Sequence, residues 1–192
     1  MTKFTDWDAK PRVDLINKAV FLDRDGIITK TRIINGKPYP PQRVSETELV
    51  DGIIDVCKKL KRLGYLLIIV TNQPDVSRGI VTQHQVEEIH DWLKLMLPID
   101  AIYTCCHDDD DNCNCRKPKP GMLLKARNIF KLDLSQCFLI GDTWKDIAAG
   151  ARAECKTILV DYHYSNVVAC ATDATVNSVT EALEWIVSQL SN

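Results

Sequence analysis

The chain has 192 residues, 45% of them apolar and 26% charged, with a formal net charge of −2 and eight cysteines. That length suits one well-packed domain and is short for two; no apolar run approaches the ~20 residues of a membrane span, and no long basic stretch marks a nucleic-acid surface. The opening MTKFTDWDAKPRVD carries no apolar export segment, so reduced thiols in a cytoplasmic protein are expected, and nothing requires more than a monomer.

The first apolar run, KAVFL, reads as a buried strand and ends on Asp23, Arg24, Asp25 and Gly26. A Pro-rich loop follows around Lys37–Arg43. Ser45 and Glu48 have the spacing of a capping box, with Leu49, Ile53, Val56, Cys57, Leu60 and Leu63 at helical intervals behind it and Gly64 placed to stop the helix. YLLIIV, residues 65–70, is continuous enough to be a strand covered on both faces. Thr82 and Gln85 open a second helix carrying Val86, Ile89, Trp92, Leu93 and Met96; DAIYT, residues 100–104, is a short strand. Pro120 and Gly121 precede a helix through Leu123, Leu124 and Ile129. CFLIG (137–141) and KTILV (156–160) are strands separated by the helical WKDIAAGARA, and Ser178 with Glu181 begins a last helix ending near Leu190.

Strand and helix in alternation predict a doubly wound α/β fold with a largely parallel sheet, as one domain over residues 1–192. In such sheets ligands gather beyond the carboxyl ends of the strands. The residues expected there are Asp23 and Asp25, Thr71 and Asn72, Cys105 and His107, and Gly141 and Asp142.

Asp23 and Asp25 stand two apart, so in extended chain their side chains lean the same way. Asp142 and Asp146 close another strand in LIGDTWKD. Carboxylates that converge need a cation, and an all-oxygen set suits Mg²⁺. The plainer readings are a loop or cap D-x-D and, for Asp146, a first-turn acid favoured by the helix dipole. An EF-hand is out of register, because Gly26 stands at the fourth place and not the sixth.

CCHDDDDNCNC holds Cys105-x-His107 and Cys113-x-Cys115. Three thiolates and one imidazole make a closed, structural Zn²⁺ site at 105–115; Cys106 in place of Cys105, or a thiol-rich loop with no metal, are the alternatives. Asp108–Asp111 read as a solvated loop tip. Cys57, Cys137, Cys155 and Cys170 read as packing residues, as do Trp92 and Trp144. His84, His90 and His163 read as ordinary.

FLDRDG, IVTNQ, RKPKPGM and IGDTWKD resemble, in order, the four motifs of haloacid dehalogenase superfamily phosphatases, over roughly residues 18–160. The resemblance implies that Asp23 is the nucleophile that takes up the phosphoryl group, and that Asp25 is first general acid and then general base. It implies Mg²⁺ held by Asp23, the backbone carbonyl of Asp25 and Asp142, with Asp146 behind them or bridged by water. Thr71, Asn72 and Gln73 would contact the phosphorylated substrate, and Lys117 would supply fixed positive charge.

The C-x-H…C-x-C loop running into RKPKPGM resembles the branch that holds D-glycero-D-manno-heptose 1,7-bisphosphate phosphatases and histidinol-phosphate phosphatases. That branch has no large cap, and here only 45 residues separate Asp25 from Thr71 and 23 separate Lys117 from Gly141. TNQPDVSRG resembles the heptose form, with Arg78 and Arg116 free to grip a second phosphate or sugar hydroxyls. The five-residue gap between His107 and Cys113 resembles the histidinol-phosphate form, which is the alternative. The implied partner is a small phosphorylated metabolite, with neither nucleic acid nor membrane. A reading from another class, a non-catalytic zinc-stabilised binding module, has no use for the intact set Asp23, Asp25, Thr71, Lys117 and Asp142.

Overall fold

The computed structural model describes residues 17–163 and 171–190, which leaves Cys170 outside. Its main sheet has six parallel strands in the order β5-β4-β1-β6-β7-β8. These are β1 (Ala19–Leu22), β4 (Leu66–Asn72), β5 (Ala101–Cys105), β6 (Phe138–Gly141), β7 (Lys156–Val160) and β8 (Ala174–Val176). A separate antiparallel hairpin pairs β2 (Arg32–Ile34) with β3 (Lys37–Tyr39). The helices are α1 (Ile53–Arg62), α2 (Gln83–Met96), α3 (Gly121–Phe130), α4 (Trp144–Arg152) and α5 (Val179–Gln189).

Strand β1 lies inside the sheet, and its four residues are wholly buried because both faces are covered. Val20 and Leu22 face a core with Ile53 and Leu60 of α1, Leu93 of α2 and Ile186 of α5. Ala19 and Phe21 face the opposite core, with Leu123 of α3 and Ala149 of α4. Burying each large apolar side chain there contributes about 1.5–3 kcal/mol. Chain order runs outward from β1 in both directions, so the crevice falls at its carboxyl end, between β4 and β6. The doubly wound, parallel α/β expectation therefore holds.

Several local expectations hold too. Thr82 and Gln85 form a reciprocal capping box, Ser178 accepts from the Glu181 amide, and Gly64 ends α1 with φ +83°. The box read at Ser45 and Glu48 is not formed. Residues Val44–Glu46 make a single 3₁₀ turn, and α1 begins only at Ile53, after Gly52. The reason is competition: Lys30 N–H donates to Glu48 O (2.8 Å) and Val50 N–H to Ile28 O (3.0 Å), so this stretch pairs with the loop after β1 instead. The Pro-rich loop is half hairpin. Asn35 and Gly36, both at positive φ, turn β2 into β3, and Pro38 is tolerated because the ribbon has only two strands. That hairpin and the 3₁₀ turn are the only regular elements between β1 and α1, in keeping with the expected lack of a large cap. Strand β8 was not expected; its three residues carry no apolar run. Among the described residues no helix is long and apolar enough to cross a membrane.

Candidate active site

The ends of β1, β4 and β6 and the segment before α3 converge on a cavity of about 410 Å³. Asp23, Asp25, Asn72, Gln73, Lys117, Asp142 and Asp146 all line it, as do Arg78 and Arg116. Thr71 does not: it is buried, and its hydroxyl accepts from Gln73 Nε2 at 2.8 Å. Tyr39, from the hairpin, and Lys145 also line the cavity, and the sequence reading missed both. Lys145 carried a signal of sorts, since it lies inside the IGDTWKD motif.

Lys117 is the centre of charge. It is 2% exposed, and its ammonium donates to Val70 O (2.8 Å), pairs with Asp23 Oδ1 (2.8 Å) and donates to Asp146 Oδ1. Burial works against its charge, but Asp146 and Asp23 outweigh that and hold its pKa above the usual lysine range. Asp23 shows the converse. Burial, with help from the Asp146 charge, pushes its carboxyl up to about 7 against the pull of Lys117. Asp146 is fully buried, and its second oxygen accepts from the Thr143 amide and hydroxyl, the cap of α4. The plain first-turn reading of Asp146 is thus part of the truth, and the lysine contact is the rest.

Asp23, Asp142 and Asp146 each offer a carboxylate oxygen, and the three atoms lie within 4.8 Å of one another. One lysine leaves this buried set net negative, which fits a hard divalent cation. Two glycines make the gathering possible. At Gly26, φ is +92° and a Cβ would fall 2.1 Å from Asp142 Oδ2; at Gly141 a Cβ would fall 2.2 Å from Asp146 Cβ. The side chain of Asp25 turns away from this cluster. Its Oδ1 accepts from Arg24 Nε (2.9 Å) and Thr29 Oγ1 (2.9 Å), and its Oδ2 from Arg24 Nη2 (2.9 Å) and Gln73 Nε2 (2.7 Å). Asn72 braces the segment before α3: its amide donates to Lys117 O and accepts from Lys117 N–H, both at 3.0 Å.

The Cys/His loop brings Cys105, His107, Cys113 and Cys115 together, with ligand atoms within 4.8 Å of one another. The Cys105–Cys115 and Cys105–Cys113 sulfurs stand 3.1 and 3.6 Å apart, and His107 Nδ1 is 3.5 Å from Cys105 Sγ. Those spacings suit a compact four-ligand site, where Zn–S bonds of ~2.3 Å put sulfurs under ~4 Å apart. Cys106 stays outside the cluster.

The aspartates of that loop are not all a solvated tip, as the sequence suggested. Asp108 takes the Arg78 fork at 2.6 and 2.8 Å, and Arg116 Nε donates to Asp109 at 2.7 Å. The Arg78 hydrogen bonds hold Asp108 down at about 2. Their charge is used to fix two arginines, a role visible only once the loop is folded against the cavity. His90 also departs from its plain reading. It is buried on α2, with Nε2 3.3 Å from Arg24 Nη1. By contrast Cys57, Cys137 and Cys155 are core residues as expected.

A family description, haloacid dehalogenase-like hydrolase, matches residues 30–154. The chain belongs to this family, and it is a phosphatase. Among its relatives, a D-glycero-beta-D-manno-heptose-1,7-bisphosphate 7-phosphatase from Salmonella typhi is 32% identical over 186 residues, covering 91% of this chain and 92% of the relative. The Helicobacter pylori (strain ATCC 700392 / 26695) protein of the same name is 39% identical over 150 residues, 75% of this chain and 83% of its own. A solved D,D-heptose 1,7-bisphosphate phosphatase from B. bronchiseptica, complexed with magnesium and phosphate, superposes with a TM-score of 0.76 at 25% identity, covering 91% of this chain and 99% of that one.

Proposed function

We propose that the chain is a Mg²⁺-dependent phosphomonoester hydrolase working through a phospho-aspartate on Asp23, with a sugar bisphosphate such as D-glycero-D-manno-heptose 1,7-bisphosphate as substrate. The observation that carries the proposal is the buried contact between Asp23 and Lys117, 2.8 Å apart on the cavity wall beside Asp142 and Asp146. An Asp23 oxygen attacks phosphorus, and the bond from phosphorus to the leaving oxygen breaks. Asp25 gives its proton to that oxygen, then takes one from the water that attacks the phospho-aspartate, releasing phosphate and restoring Asp23. Lys117 offsets charge that builds on the transferring group.

Asp23, the Asp25 carbonyl and Asp142 would hold magnesium, with Asp146 behind them. Bound there, the ion supplies the positive charge that lets an anionic nucleophile approach an anionic phosphoryl group. Cys105, His107, Cys113 and Cys115 would hold zinc as a structural clasp for residues 105–115. The heptose assignment is supported by the relatives' names and by two arginines, Arg78 and Arg116, on the cavity wall. Within this reading the protein is one domain over 1–192, a cytoplasmic monomer acting on a small metabolite.

The test is a turnover comparison with purified protein on both anomers of the heptose bisphosphate and on histidinol phosphate. Heptose bisphosphate should lead by about 10²-fold or more in kcat/KM, and Asp23→Asn should stay folded and be inactive. An active Asp23→Asn variant, or a preference for histidinol phosphate, overturns the corresponding half of the proposal.

A further inference from the structure

Arg24 lies between the two acids yet takes no place in the chemistry above. It is among the largest fully buried side chains, 1% exposed. Its fork closes on both oxygens of Asp25 through Nε and Nη2, each at 2.9 Å, a bidentate geometry that sets the plane of a carboxylate. Nη1, on the other edge of the guanidinium, meets His90 Nε2 at 3.3 Å. His90 comes from α2, 66 residues along the chain, and is itself 7% exposed. Burial, reinforced by the Arg24 charge, pulls the imidazole down to about 4, so it is neutral near pH 7 and its Nε2 accepts from the arginine.

Two further donors complete the arrangement. Thr29, fully buried, donates to Oδ1, while Gln73, on the cavity wall, donates to Oδ2. A carboxylate has about four lone-pair sites, and here each accepts from a donor. Gln73 is the one donor of the four that lines the cavity, so the Oδ2 position it holds is the one that a substrate can open by displacing the Gln73 amide.

We propose that Arg24 and His90 are positioning residues for Asp25: the arginine fixes the carboxylate plane, the histidine fixes the arginine, and Oδ2 is thereby the atom that exchanges the proton. This rests on the phospho-aspartate reading of the same site. With substrate bound, the Gln73 amide gives up its position on Oδ2 and that position carries the proton. The proton goes from Asp25 Oδ2 to the leaving oxygen as the phosphorus–oxygen bond breaks, and it is recovered from water in the second step, so nothing is oxidised or reduced.

A poor alkoxide leaving group needs that proton and p-nitrophenolate does not, which gives a readout that a purely structural role would not move. The experiment is rapid-quench first-turnover kinetics with magnesium on an alkyl phosphate and on p-nitrophenyl phosphate. The proteins compared are wild type, His90→Gln, His90→Leu and Arg24→Lys. His90→Leu should slow the alkyl phosphate at least ~10-fold more than the nitrophenyl ester. His90→Gln, which keeps an acceptor for Nη1, should stay within about threefold of wild type on both. Arg24→Lys, which loses the fork, should show the same selective loss and reads the proposal even where His90→Leu does not fold. Equal losses on both substrates, or no loss, overturn it. Trapping the phosphoenzyme separates the two failures: wild type forming none overturns the phospho-aspartate reading, whereas a normal phosphoenzyme with unselective variants overturns the positioning role alone.

Discussion

Lys117 and Asp23 meet at 2.8 Å, with Lys117 almost wholly buried and Asp146 bonded to the same ammonium. One lysine therefore balances two acids, one just past the end of β1 and one in the first turn of α4. Lys117→Met would leave both carboxylates buried without their counter-charge. The expected cost is about 3–5 kcal/mol in urea unfolding without magnesium, together with a first-turnover rate lower by about 10²–10³. A variant with wild-type stability and rate would remove Lys117 from the centre of the site.

Gly26 has two separate reasons to be glycine. Its φ of +92° disfavours any side chain, and a Cβ would strike Asp142 Oδ2. Gly26→Ala should lose at least about 1–2 kcal/mol from the backbone alone. It should also blunt the rise in melting temperature on adding magnesium, because Asp142 is pushed aside. An unchanged magnesium shift would mean that Asp142 is not a ligand.

The Cys/His loop reaches the cavity through Asp108 and Asp109. Cys115→Ser should cost bound zinc, measured by stoichiometry after dialysis, and should lower the melting temperature. Asp108→Asn keeps the four metal-binding groups and should leave zinc content unchanged, while raising KM for a sugar bisphosphate about two- to fivefold with kcat nearly constant. Equal KM in Asp108→Asn and wild type would show that Arg78 needs no orienting partner.

His90 sets a pH dependence of stability. Its folded pKa, about 4, lies below the unfolded value of about 6.5 because burial and Arg24, with a smaller push from Lys94, outweigh the attraction of Asp25 and Asp91. A depressed histidine contributes stability that is fully present above pH 6.5 and lost as the pH falls toward 4. The loss reaches about 3 kcal/mol below that range. Urea midpoints of wild type and His90→Gln should therefore converge in acid from a gap, or cross, with the wild type having the steeper slope between those values. Parallel profiles would mean that His90 is solvated.

Much of this is legible in the sequence. KAVFL and KTILV announced buried strands because both faces of a parallel sheet exclude polar residues, and Thr82 and Ser178 announced helix starts because their partners are three residues away. Such signals are local. The box at Ser45 and Glu48 misleads because Glu48 and the nearby Val50 pair by backbone with Lys30 and Ile28, a contact that spacing does not encode. Asn35-Gly36, immediately before the Pro-rich stretch, is a hairpin signal that the reading passes over. At the site, residue types at strand ends point to the acids, while Lys117 is reached only through the family resemblance of RKPKPGM. The Arg24–His90 contact and the turn of Asp108 onto Arg78 join distant parts of the chain, and a buried histidine looks the same in sequence as an exposed one.

Arg116 and Lys117 are adjacent in the chain, yet the first is gripped by an aspartate of the Cys/His loop and the second by the acids of the reaction centre. A single peptide link thus ties the two candidate metal sites mechanically. On the proposed reading, scarcity of zinc at the Cys/His cluster would be felt at the phosphoryl pocket even with magnesium plentiful, and turnover would track the supply of two different ions at once.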